Sequence, residues 1–356
     1  MILSESCSIS FLAFFIGSYI WYYNKRSIPS VIFLTIVALF FAFTRDTDAY
    51  RVLFMTMPVL LLVGLHVRNK SQGVTRHFVL LLIFIFIFIG SDLSSSNTHC
   101  RNLIEPYSST QWHANPDDSL HFRVNDCLTP YTNARWHMPI VNNMFQRILP
   151  FEDRVKYFEA HGLPVTTELM SMKNKWANAD NWRWYIDPRL AAQREWNYRY
   201  GRQTYMKYLI THPKYVVASA FDYRDLLLYL DGEHNIWHKN AKSINIRILS
   251  VFFLNDDVDL KMFLALLLSS LILLFIIYYK QGKDDGEHIT MILLTCYIIL
   301  ITIPLGILIF HGDLMDLARH SFTNIVQLNL GVVLLYLFIA DLLMMKMRMD
   351  NVKNES

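Results

Sequence analysis

The chain has 356 residues, of which 53% are hydrophobic and 18% charged, with a formal net charge of +3. Its apolar residues come in long uncharged blocks, which excludes an ordinary soluble fold and points to a helical membrane protein. The small positive charge reflects basic residues beside those blocks, not a nucleic-acid surface.

Taken in order, the apolar runs predict about seven spans, at about 8–24, 29–44, 52–66, 77–93, 260–279, 289–310 and 323–345. The expected fold class is therefore mainly α: a polytopic α-helical membrane protein with a mostly helical, loop-rich extracytoplasmic domain. The first run has no basic segment before it and no small-residue cleavage site, so it reads as a retained helix. The second and third are short and fit a tilted pair or a re-entrant unit. With the N-terminus outside, the inward segments carry Lys25, Arg26, Arg68, Lys70, Arg76, Lys280, Lys283, Lys346, Arg348 and Lys353. The outward short segments carry only Arg45, Arg51 and Arg319, as the positive-inside bias requires.

This topology divides the chain into a membrane bundle at 1–93, an extracytoplasmic domain at 94–250, and a second bundle with a short cytosolic tail at 251–356. Cys100 and Cys127 are the two cysteines of the outer segment, where disulfides persist, and the reading pairs them. Cys7 and Cys296 fall in or beside spans and read as apolar packing residues. The stretch 94–150 is rich in turn residues and reads as extended loop. Helices are expected over 151–161, ended by Gly162 and Pro164, over 166–176, over 203–211, broken at His212-Pro213, and over 215–230.

Seven of the eight tryptophans lie in this domain, interleaved with tyrosine and arginine in NWRWYIDPR (181–189) and REWNYRYGR (194–202). Two readings stand. One is a surface that stacks on sugars and grips phosphate; the other is an aromatic belt at the head-group layer together with ordinary core. His234 and His238 share the i, i+4 spacing of paired metal ligands, but no HExxH or paired-cysteine pattern accompanies them, so no metal or cofactor is assigned. Asp117 and Asp118 follow a proline in a turn-rich segment and read as an exposed turn. Walker, GxGxxG, GxSxG and EF-hand patterns are absent.

Two charged collars flank the membrane on the outer side. FTRDTDAYR (43–51) carries Arg45, Asp46, Asp48 and Arg51, and HGDLMDLARHSFT (311–323) carries Asp313, Asp316, Arg319 and His320. In a helix the latter four fall along one stripe, with the acids near its N-terminus. That pattern fits a capped helix at the interface equally with a polar site, since ionisable groups beside a span are costly and often functional. Asp341, inside the last span, reads as a snorkelling or helix-pairing residue.

The segment HGDLMDLARHSFTNIVQLNLGVVLLYLFIAD resembles the C-terminal span of polytopic bacterial membrane proteins that look like GT-C-type glycosyltransferases. His311, Gly312, Asp313, Met315, Arg319, His320, Gln327 and Leu328 match their HGD-x-ME-x-x-RH opening and the QL-x-L run after it, while Asp316 stands where Glu is usual. FEDRVKYFEAHGLP and GRQTYMKYLITHP are similar to segments of their outer domain, so the resemblance covers about 150–345. It implies transfer of a sugar from a polyprenyl-phosphate donor. Asp46 or Asp48 would be the catalytic base, and Arg45, Arg51, Asp313, Asp316, Arg319 and His320 the substrate-binding set. The chain departs from the family in its first outward loop, which is short and offers only those two acids. Besides the bilayer and a lipid-linked sugar phosphate, the partner expected is another membrane protein, to which a non-catalytic subunit would present its outer domain. The location expected is a bacterial inner membrane, with the N-terminus and 94–250 extracytoplasmic. A transporter ranks third, because inverted repeats are not visible and only Pro304 and Gly306 suggest a broken helix.

Overall fold

The structure is a computed structural model. It describes residues 2–25, 27–44, 46–60, 75–91, 134–177, 179–222, 267–273, 286–312 and 317–355, with isolated positions at 63, 265 and 276. The described residues are helical, with no strand among them. They divide into two compact units. One contains 1–91, 223–306 and 318–356; the other contains 92–222 and 307–317.

The first unit opens with α1 (Ile2–Lys25), α2 (Ile28–Thr44) and α3 (Asp46–Phe54). Ser27 and Ser30 cap α2 reciprocally: the Ser30 amide donates to Ser27 Oγ at 3.4 Å and the Ser27 amide to Ser30 Oγ at 3.1 Å. The stretch read from sequence as the open loop TRDTDAYR is instead largely the helix α3. Its two acids stand in the first turn, where negative charge is favoured, and Asp48 and Arg51 pair at i, i+3. The chain turns at Met55 and resumes as helix through Leu60, so the expected third span is bent. Pro58 explains the bend. It has no N–H for the Phe54 carbonyl four residues earlier, and the Tyr297 hydroxyl donates to that oxygen instead, at 2.7 Å. Tyr19 donates to the neighbouring Met55 carbonyl at 3.3 Å.

α4 (Thr75–Ser91) joins α1–α3 around Phe15, Tyr19, Leu34, Phe41, Val52 and Phe84, all nearly or fully buried. α12 (Gly286–Leu300), α13 (Thr302–Gly312) and α14 (Leu317–Glu355) follow later in the chain. A second cluster of Ile299, Leu328, Val332, Leu335, Ile339 and Leu342 packs α12 against α14. The contact is close: a Cβ on Gly331 would sit 2.7 Å from Ile299 Cγ1.

Among the described residues, two stretches are long and apolar enough to cross a membrane, Leu294–Gly312 and Thr323–Met344, where about seven were expected. α2 and α4 are apolar but shorter. The span expected at 52–66 is described through Leu60, and more than half of the one expected at 260–279 lies outside the described residues. α2 is apolar on every face. Leu34, Val37 and Phe41 are buried, while Ile28, Ile32, Phe33, Ile36, Leu39, Phe40 and Phe43 are exposed. On α4, Phe78, Val79, Leu82, Phe86 and Ile89 are exposed as well.

The second unit is a helical domain with its own core. Its first described element is α5 (Ala134–Asn143), which passes into a π-helical turn at Met144–Ile148. The sequence reading placed this stretch in extended loop, misled by Pro139 inside the helix and by its asparagines. The π turn closes through the Leu149 amide, which donates to the Met144 carbonyl at 2.9 Å. α6 (Glu152–Ala160) forms where expected, with Glu152 and Asp153 in its first turn. The helix expected over 166–176 is a single turn, α7 (Thr167–Met170), capped by Thr166 Oγ1, which accepts from the Leu169 amide at 3.2 Å. It stops early because the chain turns back through Asn174, whose φ is 60° and whose amide donates to the Phe145 carbonyl. α8 (Ala179–Ile186) and α9 (Ala191–Trp196) come next, then a π turn at Asn197–Gly201, α10 (Arg202–Thr211) and α11 (Pro213–Asp222). Trp184, Phe145, Phe158, Leu169 and Tyr208 are central to the core these elements share.

Candidate functional site

The ionisable residues of the first unit meet in a buried polar cluster. Asp48 and Arg51 are 0% and 2% exposed, and Arg51 Nη1 donates to Asp48 Oδ1 at 2.5 Å. Ser8 from α1 donates to the other carboxylate oxygen, Oδ2, at 2.6 Å. Arg51 Nε donates to Gln327 Oε1 on α14 at 3.2 Å, and Gln327 Nε2 donates to the Ile298 carbonyl on α12 at 3.2 Å. Thr323 Oγ1 lies 3.5 Å from Ser8 Oγ. One charge pair thus ties four helices, α1, α3, α12 and α14. Beside it lies a cavity lined by Leu12, Phe15, Arg51, Met55, Ile298 and Gln327, with space for about one water molecule. In this arrangement the Asp48 carboxylate holds helices together, and both of its oxygens accept hydrogen bonds.

Of the residues singled out from sequence, the structure therefore brings Asp48 and Arg51 into one cluster and adds Gln327, from the matched QL-x-L run. Asp46 begins α3. Arg319 and His320 lie in the first turn of α14. Arg45, Asp313, Asp316, Cys100, Cys127, Asp117, Asp118, His234 and His238 lie outside the described residues, as do the side chains of Asp46, Arg319 and His320. No group of three or more His, Cys, Asp or Glu capable of holding a metal occurs among the described residues.

A second cluster lies in the second unit, around the end of α13. Side chains from α5 and its π turn reach carbonyls in the last described turn of α13. Arg147 Nη1 donates to the Phe310 carbonyl at 2.5 Å and Asn143 Nδ2 to the His311 carbonyl at 3.0 Å. The Arg147 guanidinium also stacks 3.4 Å over the Phe310 ring. His311 is buried and bonded through both ring nitrogens. Tyr205 donates its hydroxyl to Nδ1 at 3.3 Å, and Nε2 donates to the Val216 carbonyl at 3.1 Å. The first residue of HGD thus sits in a packed hub. Sequence reasoning missed Arg147, Asn143 and Tyr205; the one hint was the match at His311.

Part of the interleaved aromatic and basic stretches is internal bracing, while Arg189, Arg199 and Tyr200 are exposed. Trp184, Tyr185 and Trp196 are buried in the core. Arg194 donates to the Trp184 and Asp187 carbonyls at 2.6 and 2.9 Å, closing the C-terminal end of α8. Asp187 accepts from the Arg189 side chain and amide and from Arg183, which hold its carboxyl well below the usual carboxylate range. His137 stacks on Tyr198 with centroids 4.1 Å apart. Trp184 Nε1 can only donate, so His137 Nε2 accepts from it, at 3.1 Å. Nδ1 then carries the proton of the neutral ring, and the Asn197 amide group, whose Nδ2 lies 2.6 Å from it, can accept that proton only with its oxygen turned to the ring. Burial, helped by Arg194, pushes the His137 pKa down to about 3, so the ring is neutral at ordinary pH. Gly201 makes room for this pairing, because a Cβ there would come 2.1 Å from the Asn197 amide.

No family model, no curated protein and no solved structure matches the chain.

Proposed function

We propose that the chain is a polytopic helical protein of a bacterial inner membrane, with about seven crossings and residues 94–250 on the extracytoplasmic side, and that it acts by presenting its helical outer unit to a protein partner. Helices that are apolar on buried and exposed faces alike, as α2 is, suit lipid as their surroundings. The basic residues of the inward segments set the orientation. One observation carries the non-catalytic reading: the described charge pair of the bundle, Asp48 and Arg51, is engaged within the protein and ties α1, α3 and α14. Exposed Phe151, Trp176 and Tyr200 give the outer unit aromatic side chains of the kind enriched at protein interfaces.

A second reading, GT-C-like sugar transfer, is favoured by the match of 311–345 to the HGD-x-ME-x-x-RH and QL-x-L patterns. In it Asp46, rather than the engaged Asp48, is the base, and Arg319 and His320 hold the lipid phosphate, with Arg45, Asp313 and Asp316 beside them. The test is incubation of the full chain in vesicles with radiolabelled polyprenyl-phosphate sugars. The non-catalytic reading expects no turnover. Turnover abolished by Asp46→Asn and by Arg319→Gln overturns it and establishes the second. A photo-crosslinking residue at Tyr200 in living cells is expected to capture one discrete protein, and capture of none counts against presentation.

A further inference from the structure

α10 and α11 pack one side on the second unit's core, through Tyr205, Tyr208, Leu209 and Tyr215. Their other sides are apolar and open. Met206 and Ile210 stand one turn apart on α10, and Val217 and Phe221 one turn apart on α11. Ile210 is 75% exposed, Phe221 58%, Met206 49% and Val217 46%. Two i, i+4 pairs of large apolar side chains on consecutive packed helices form a patch that water alone does not explain.

The place of these helices says what covers it. His311 Nε2 donates to the Val216 carbonyl at 3.1 Å, and its ring lies 5.6 Å from that of Tyr215. α11 is therefore pinned to the last turn of the stretch Leu294–Gly312, which is long and apolar enough to cross a membrane. Where such a stretch ends, the chain passes from acyl chains into head groups. Exposed Lys214 stands beside the apolar pair of α11, where an ammonium can meet phosphates while its stem covers apolar surface; Lys207 Nζ instead lies 3.2 Å from His161 Nε2.

We propose that α10 and α11 are an interfacial lipid-binding surface, which inserts Met206, Ile210, Val217 and Phe221 into the boundary between head groups and acyl chains. The inference rests on the reading of the chain as a membrane protein and adds the surface by which its second unit meets lipid. Helices of this kind lie in the interface plane and bind in proportion to the apolar area they insert.

The test uses the full chain with a benzophenone side chain at Ile210 or Phe221, in vesicles of phosphatidylethanolamine and phosphatidylglycerol that contain a radiolabelled phospholipid. Ultraviolet light is expected to attach several-fold more lipid at either position than at Lys156, a 69% exposed residue of the same unit. Labelling no greater than at Lys156 overturns the proposal, and so does cross-linking to a second copy of the chain or to another protein in place of lipid. Phe40, 57% exposed on α2, separates the two levels of failure. An unlabelled Phe40 defeats the membrane reading and the inference with it. A labelled Phe40 with unlabelled Ile210 and Phe221 defeats the inference alone.

Discussion

Asp48→Asn removes one charge from the buried cluster with almost no change in volume. Arg51 then remains 2% exposed, with its carboxylate partner gone. At an effective dielectric constant of about 20, opposite unit charges about 4 Å apart attract by about 4 kcal/mol. Breaking a buried pair by removing one partner costs about 3–5 kcal/mol, because the remaining charge loses that compensation. The amide oxygen still accepts from Arg51 while its nitrogen donates to Ser8 Oγ, which places the expected loss at about 3 kcal/mol, the low end of that range. Replacing both partners by apolar residues, Asp48→Leu with Arg51→Met, removes the desolvation penalty together with the attraction and is expected to be far milder than the single change. Reversible unfolding of the purified chain in mixed detergent micelles reads both. If Asp48→Asn is no more destabilising than the double variant, the pair does not tie the helices as described.

Tyr297→Phe takes the donor from the Phe54 carbonyl that Pro58 leaves without an amide. It is expected to cost about 1 kcal/mol in the same assay, and less in a Pro58→Ala background, where the amide returns. Gly201→Ala drives a methyl into the Asn197 amide and separates it from His137. A loss of about 1–3 kcal/mol is expected, shrinking when Asn197 is already alanine; equal losses in both backgrounds refute the steric account. His137 titrates at about 3 in the folded chain against 6.5 when unperturbed, so between these values the unfolded state binds a proton that the folded state does not. Its contribution is complete above about 6.5 and is lost as the pH falls toward 3, with a slope of at most about 1.4 kcal/mol per unit. Hydrogen exchange at the amides of 141–148 is expected to follow that slope in the full chain and to lose it in His137→Gln.

The helices that announced themselves were those whose signals are local. Glu152 and Asp153 in the first turn of α6, and the His212-Pro213 break after α10, lie within a few residues of the ends they set. α5 was missed because Pro139 reads as a breaker when its neighbours are unknown; in the fold, Ile140, Val141 and Phe145 bury a continuous face around it. α7 was read too long because Asn174 adopts its positive φ in bonding to Phe145, a residue almost thirty positions away. The cluster was half legible. Asp48 and Arg51 stood out as charges beside an apolar run, but Ser8 and Gln327 come from α1 and α14, and only the tertiary fold brings four helices to one ion pair. The aromatic and arginine-rich stretches left two readings open for the same reason: composition does not distinguish a guanidinium that faces solvent from Arg194, which closes the end of a neighbouring helix.

Arg147 and Asn143 grip two successive carbonyls at the end of α13, and each grip depends on where those oxygens point. One inserted residue upstream of Phe310 would turn them about 100° and advance them about 1.5 Å. Neither donor would then find its target, and the Phe310 ring would leave the guanidinium. The last described turn of α13 is therefore keyed to α5 in both rotation and depth, as a shaft is keyed in its socket. Length changes should be tolerated in the loops far more readily than in the eleven residues Thr302–Gly312.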